Sequence, residues 1–448
     1  MPDSAESQTG NKTAPASASG LDASVSRLSL GNGKGLDHLA LSSRTVHADD
    51  HISSHRAIAP ALHVSTTFDY SRNPDELTAW DNRDPAAPLD SHIYSRDSAP
   101  NTTRLEAILT SILNGPSLTY ASGLAAFHAL LVRLNPRRIA IGDGYHGCHG
   151  VAAIMARLTG LQILSLAEAD LAQLQPGDVL HVETPLNPTG EARDLAHYAS
   201  VARSRGAFLT VDATFAPPPL QDPFRLGADV VMHSGTKYFG GHSDMLCGVL
   251  AVSPARAAER EDGGGAHAGI LRIEKLREDR LLLGGVMGSL EGWLGMRSLR
   301  TLELRVCRQS ETATRLVAWL AGESASAREG GGGGGIVAAV VDRVSHASLQ
   351  EGAADESSWL RRQMPGGFGP VFALYMRSRD HARRLPSKLA LFHHATSLGG
   401  VESLVEWRRM TDPGCDECLI RVSVGVEAWE DLRDDLLQGF KALAAEKN

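Results

Sequence analysis

The sequence predicts an α/β protein with a central, mostly parallel sheet and a smaller C-terminal α+β domain. Three observations carry this. Six short apolar stretches lie between Leu118 and Ser234: "LTYASG", "RRIAIGDG", "LQILSL", "DVLHVETP", "AFLTVDATF" and "ADVVMHS". Segments of helical length separate them, and "TRLEAILTSILN" and "LAAFHALLVRL" show helical spacing, so the order is the βα alternation of a parallel sheet. Beyond a long helical stretch, "LEGWLGMRSLRTLELRVCRQSETATRLVAWLAG", come β-like "IVAAVVDRV" and "GPVFALYM" and a closing helix from about Trp429.

Residues 1–35 are rich in Ser, Ala and Gly, carry no aromatic residue and read as a disordered tail. A mitochondrial presequence is the alternative, weakened by three acidic residues and a single arginine. Residues 36–90 read as an extended arm with one β-like stretch, "LHVSTTFDY". Residues 91–299 form the large α/β domain, and 300–448 the linking helix and smaller domain. "EGGGGGG", Glu329 to Gly335, reads as a flexible surface loop, because no Lys-Ser/Thr follows it to make a phosphate cradle.

A chain of 448 residues suffices for two domains with their own cores. Its 44 basic and 52 acidic residues are spread along the chain, without the basic stripe that nucleic acid requires. No apolar run reaches the roughly 20 residues of a spanning helix, and the N-terminus lacks the order of a signal peptide, so a soluble, cytoplasmic protein is expected. Five cysteines without a paired framework suit a reducing compartment. Cys415 and Cys418, in "CDEC", have no second pair to complete a zinc site and read as an inert loop. Cys148 stands between His146 and His149, but three such neighbours cannot all face one ion, and no metal is expected.

Seven lysines stand against 37 arginines, and Lys237 is the only lysine between Gly35 and Glu274. It follows an apolar strand, in the turn "HSGTKYFGGHSD", where a parallel sheet presents ligand groups. A lysine amine buried near cations or a phosphate is shifted toward deprotonation and forms a Schiff base, which arginine cannot. The bland alternative is an exposed turn lysine.

Pyridoxal phosphate chemistry makes four further demands, and each has a candidate. The ring nitrogen needs a carboxylate, which Asp212 supplies at the end of "AFLTVDATF". The phosphate needs amides at a helix N-terminus, offered by Ser122, Gly123 and Leu124 in "YASGLAAFHALL", with the hydroxyls of Ser234 and Thr236 nearby. Tyr145, in "GDGYHGCHG", is the aromatic face for the ring, and Arg421, in "LIRVSVGVE", is the bidentate partner for an amino-acid carboxylate.

With these residues in view, "SGTKYFGGHSD" resembles the cofactor-lysine signature of the trans-sulfuration (Cys/Met metabolism) family of pyridoxal-phosphate enzymes. "TVHADD", "YSRDSAPNTTRLE", "YASGLAA", "ETPLNPTG", "VDATFAPP", "RSLRTLELR", "SLGGVESL" and "RVSVGVE" resemble further family blocks in family order, from about residue 40 to the end. The resemblance implies the aspartate-aminotransferase type of pyridoxal-phosphate transferase fold. It implies that Lys237 holds the cofactor aldehyde and shuttles protons, with Tyr145 stacking on the ring and assisting. It places Asp212 on the ring nitrogen, Thr214 of "VDATF" among the cofactor contacts, Asn187 on the phenolic oxygen, and Arg421 and Ser397 on the substrate carboxylate. Tyr94 and Arg96 match residues that reach the phosphate of a neighbouring subunit, and the 36–90 arm would also contribute there. A homodimer or homotetramer with shared sites follows.

The implied substrates are cystathionine, O-acylhomoserine and cysteine, and the nearest likeness is to cystathionine γ-synthase, which replaces the γ-substituent of an O-acylhomoserine with cysteine. Cystathionine β- or γ-lyase is the alternative, and a non-catalytic regulator that keeps the fold is another. The chain departs from the family in places. Thr396 precedes the serine of "SLGG", where γ-acting cystathionine enzymes often carry Glu and bacterial β-lyases Tyr. "VEWRRMTDPGCDE" replaces the usual His-Pro and Met-Thr-His, and His146 and Cys148 replace a glycine and a threonine. The cysteine typical of methionine γ-lyase is thereby out of register. A competing signal, "GDGYHG" at Gly142 to Gly147 with Glu168 and Asp170 a little over 20 residues on, fits a dinucleotide fingerprint. That reading leaves Lys237, Asp212 and Arg421 without roles.

Overall fold

The computed structural model describes residues 36, 38–52, 57–79, 82, 92–260, 267–328 and 335–446. The tail 1–35, part of the arm and residues 329–334 of the glycine run lie outside the described residues.

Seven strands form the larger sheet: β1 (Ser117–Tyr120), β2 (Arg138–Ile141), β3 (Gln162–Leu164), β4 (Val179–Glu183), β5 (Phe208–Asp212), β6 (Val230–Ser234) and β7 (Gly248–Val252). Their order is β1-β7-β6-β5-β4-β2-β3. Every residue of β4 and β5 is buried, which explains why both read as nearly continuous apolar runs: strands covered by helices on both faces have no polar side. Six strands match the six apolar stretches, and all pairs among them are parallel. β7 is the exception. No helix separates it from the turn after β6, so it returns antiparallel to β6 and inserts between β6 and β1.

The smaller sheet has β8 (Val341–Ser345), β9 (Val371–Met376), β10 (His393–His394), β11 (Leu404–Trp407) and β12 (Leu419–Ser423), in the order β10-β11-β12-β9-β8. Phe372, Leu374, Ile420 and Val422 share a core with Leu432, Leu436 and Phe440 of the closing helix Trp429–Ala445. Full burial of one such side chain is worth about 1.5–3 kcal/mol.

Three local expectations are corrected. The long linking stretch is two helices, Ser289–Leu299 and Leu302–Arg328. Arg305 holds the break between them, with Nη2 donating to Ser298 O at 2.9 Å and Nε to Thr301 Oγ1 at 3.1 Å. "IVAAVVDRV" begins as a helical turn, Ile336–Val340, and only then enters β8, because its apolar run supports either state at that length. "LHVSTTFDY" forms a single bridge, Thr67 to Tyr94. The arm is instead held through Asn101, which accepts from His63 N and donates to Ala61 O, both at 2.8 Å. A helix absent from the sequence reading, Leu41–His47, lies just before Asp49, whose buried carboxylate meets Arg104 Nε at 2.8 Å and Arg300 Nη2 at 3.4 Å.

The helix Leu302–Arg328 joins the two sheets through side chains near its start. Arg305 Nη1 donates to Tyr238 O at 2.9 Å, and Gln309 Nε2 donates to Gly400 O at 2.6 Å and Val424 O at 3.2 Å. Among the described residues no helix is long and apolar enough to cross a membrane.

β7 bears directly on the site, since a Cβ on Gly248 would fall 2.0 Å from the carbonyl oxygen of Ser122. Backbone against backbone has no rotamer to yield. Gly248→Ala is expected to destabilise the apoprotein by about 1–3 kcal/mol, read as a lower melting temperature. The same shift should weaken cofactor uptake, because Ser122 opens the helix beneath the cavity.

Candidate active site

A cavity of about 520 Å³ opens between the carboxyl ends of the larger sheet's strands and the smaller sheet. Twelve of the fourteen site residues named from the sequence line it. Tyr94 and Arg96 do not. Both are exposed, with the Arg96 guanidinium 5.3 Å from the Tyr94 ring centroid.

Parallel strands end side by side, so residues far apart in sequence meet. Glu183 at the end of β4 is in register with Asp212 at the end of β5. Ser234 closes β6, and the turn after it carries Lys237 into the cavity. Lys237 Nζ donates to Ser397 Oγ at 2.8 Å. Burial pulls the lysine down to about 8, and the Arg421 guanidinium adds to this, while Glu406 and Asp212 oppose it. A neutral amine is therefore accessible at mildly alkaline pH.

Asp212 is buried, and its Oδ1 accepts from Thr214 N at 3.0 Å and Thr214 Oγ1 at 2.5 Å. Thr214 Oγ1 in turn accepts from Ser234 N at 2.8 Å, which fixes its proton on Asp212. Burial raises the Asp212 carboxyl, opposed by those hydrogen bonds and by Lys237. A buried carboxyl with a free oxygen beside a cavity suits a protonated ring nitrogen, which would restore its charge.

Glu183 was quoted in a motif but given no role by the sequence. Its Oε1 accepts from Asn187 N at 2.6 Å and its Oε2 from Tyr145 N at 2.7 Å. One carboxyl thus fixes the loops that present both residues. Burial first, and then the neighbouring Asp212 carboxyl, raise the proton affinity of Glu183, while the two amides it accepts from oppose this.

At the far end, Ser122 is the N-cap of the helix Gly123–Leu134, its Oγ accepting from Ala125 N at 3.1 Å. Its oxygen serves the cap while its proton stays available to donate, and the amides of Gly123 and Leu124 are further anion donors. A Cβ on Gly123 would stand 3.2 Å from Ser234 Cβ, so glycine keeps this cradle open. Thr236 Oγ1 accepts from Cys247 N at 3.0 Å. The arrangement fits a phosphorylated pyridine aldehyde: amides for the phosphate, Asp212 for the ring nitrogen and Lys237 for the aldehyde.

On the smaller sheet, Arg421 Nη1 donates to Asn187 Oδ1 at 3.2 Å, and Nη2 to Ser397 O at 2.8 Å and Glu406 Oε2 at 2.5 Å. The same Glu406 oxygen accepts from Arg408 Nη1 at 2.9 Å, and Oε1 from Thr411 Oγ1 at 2.7 Å. Glu406, Arg408 and Thr411 line the cavity and come from the stretch where the chain leaves the family pattern. In the sequence this stretch shows only as a departure; the pairing of β11 with β12 sets Glu406 opposite Arg421.

The chain matches the sequence profile of the Cys/Met metabolism PLP-dependent enzyme family over residues 42–441. It is similar to a cystathionine gamma-lyase of Saccharomyces cerevisiae, 28% identical over 89% of this chain and 96% of that one. An L-methionine gamma-lyase of Pseudomonas putida is 30% identical over 87% of this chain and 94% of its own. Among solved structures, metB from Corynebacterium glutamicum superposes with a TM-score of 0.75 at 26% identity, over 91% of this chain and 99% of that one.

The apoprotein's rate of covalent capture of pyridoxal phosphate, trapped by borohydride, should rise with pH and level off above about 8, where Lys237 is neutral. In Arg421→Met the inflection is expected to move upward, because a cation that disfavours the protonated amine is gone. Glu183→Ala strands two amides and should weaken cofactor binding by about tenfold, measured by fluorescence titration of the apoprotein.

Proposed function

The chain belongs to the Cys/Met metabolism family of PLP-dependent enzymes, and from that premise we propose that it replaces the γ-substituent of an O-acylhomoserine with cysteine. The observation that carries the reading is the placement of Lys237: a partly buried amine lowered to about 8, 2.8 Å from Ser397 Oγ, in a cavity that Asp212 and Arg421 also line. Bound pyridoxal phosphate supplies an aldehyde for the substrate amine and an electron-withdrawing ring over Cα.

In this account Asp212 would keep the ring nitrogen protonated, Tyr145 would cover the ring face, and Asn187 would contact the phenolic oxygen. The Gly123 and Leu124 amides, with Ser234 and Thr236, hold the phosphate. Arg421 receives the substrate carboxylate, and the Ser397 turn sets its orientation. With the cofactor bound, Lys237 would take the proton from Cα and then one from Cβ, as departure of a γ-substituent requires. The acyl carboxylate would leave from Cγ, the cysteine sulfur would add there as its thiol gives up a proton, and Lys237 would return protons to Cβ and Cα. Tyr145, which lines the cavity, would assist proton transfer. Tyr94 and Arg96, outside their own chain's cavity, would reach the phosphate of a second copy.

Elimination by a cystathionine β- or γ-lyase is the second reading, favoured by the names of the lyase relatives. Product analysis separates them. Cystathionine formed from O-acetyl- or O-succinylhomoserine plus cysteine is expected. Pyruvate from cystathionine would indicate β-elimination, and 2-oxobutyrate γ-elimination. Lys237→Ala should lower any of these rates by at least about a hundredfold, and no turnover by cofactor-loaded wild type would favour a regulator.

A further inference from the structure

Asn187 sits on the loop that runs from β4 to the helix Leu195–Arg205. Its N donates to Glu183 Oε1 at 2.6 Å, and its Oδ1 accepts from Arg421 Nη1 at 3.2 Å. A guanidinium only donates, so the oxygen of the side-chain amide faces Arg421, and Nδ2 is the end left for an acceptor in the cavity that Asn187 lines. How far that nitrogen reaches depends on where the loop backbone lies.

The backbone beyond Asn187 is held by the segment between β8 and β9 of the smaller sheet. Ala347 N donates to Gly190 O at 3.0 Å. Gln350 spends both ends of its side-chain amide on one residue, Oε1 accepting from Ala192 N at 2.6 Å and Nε2 donating to Ala192 O at 3.0 Å. Gln363 does likewise for two others: Nε2 donates to Arg193 O at 2.9 Å, and Oε1 accepts from Leu195 N at 2.9 Å. Gln363 is buried, and its Nε2 also meets Gln221 Oε1 at 3.0 Å, which fixes the sense of its amide. Side-chain amides here do what a neighbouring strand would do for a strand. The approach is close: Gly190 has φ +72, and a Cβ on it would stand 2.1 Å from Val371 O at the start of β9.

We propose that Gln350 and Gln363 are positioning residues for Asn187 and through it set the proton affinity of the bound cofactor, a role that rests on the contact of Asn187 with the phenolic oxygen put forward above. A donor on that oxygen draws negative charge from it. When the donor withdraws, the oxygen holds a neighbouring proton more firmly, and the protonated form of the bound cofactor persists to higher pH. The clasp belongs to the domain that carries Arg421, so the groups for the cofactor oxygen and for the substrate carboxylate share one frame of reference.

The pH midpoint of the visible band of the cofactor-loaded enzyme, read without substrate, tests this independently of turnover. Asn187→Ala is expected to raise the midpoint by about one pH unit, and Gln350→Met, which keeps the length of the side chain but not its amide, by about half a unit. Gln363→Met should act in the same direction. In the Asn187→Ala background neither glutamine substitution should move the midpoint further, because its effect passes through the asparagine. A merely structural role would lower the melting temperature of the glutamine variants and leave their midpoint at the wild-type value. That result, with Asn187→Ala still shifting it, overturns the inference and leaves the placing of Asn187 standing. A glutamine shift that persists undiminished without Asn187 overturns it as well. If Asn187→Ala itself leaves the midpoint unmoved, the contact with the phenolic oxygen falls and this inference with it. Should Gln363→Met fail to fold, Gln350→Met decides, since Gln350 is partly exposed.

Discussion

Lys237 and Ser397 belong to different sheets, and keeping their side chains 2.8 Å apart constrains everything around them. Ser397 has φ +74, a left-handed conformation that costs a residue other than glycine on the order of 1–3 kcal/mol. Gly399, two residues on, also has positive φ, and its missing side chain lets the turn approach the backbone of Lys237, where a Cβ would stand at 3.0 Å. The strained turn is held by its own small sheet: Gly399 N donates to Ser423 Oγ at 3.1 Å, and Arg421 to Ser397 O at 2.8 Å. The residue that would read the substrate carboxylate therefore also braces the contact with the lysine.

The two sheets contribute opposite charge. The larger one brings the carboxyls of Glu183 and Asp212 on neighbouring strand ends, and the smaller one brings Arg421 and Arg408 around Glu406. Lys237 lies between, and its lowered proton affinity is the resultant: burial and Arg421 outweigh Glu406 and Asp212. Lysine suits this position because its charge can be given up, whereas a guanidinium would stay protonated.

Much of this was legible in the sequence, for physical reasons. Strands buried on both faces leave long apolar runs, so six strands could be read, and the residues at their ends fall together by the geometry of a parallel sheet. β7 escapes the βα alternation because an antiparallel return needs no helix before it. Glu183 was hidden because it contacts backbone amides, whose partners no side-chain pattern reveals. Glu406 and Arg408 stood in a stretch marked as irregular. Their meaning depends on the pairing of β11 with β12, a non-local fact. The break at Arg300 and Thr301 has no proline or glycine to announce it.

The short side-chain links from the start of the Leu302–Arg328 helix have a mechanical consequence. Arg305 grips the carbonyl of Tyr238, next to the lysine, and Gln309, one turn later, grips Gly400 of the serine turn and Val424 beyond β12. Lysine loop and serine turn thus hang from adjacent rungs of one rod. When the rod tilts or slides, both are carried along, and the gap between amine and serine is insulated from the motion. Were the small sheet to rock against the large one, the spacing of amine and serine would lie close to the pivot.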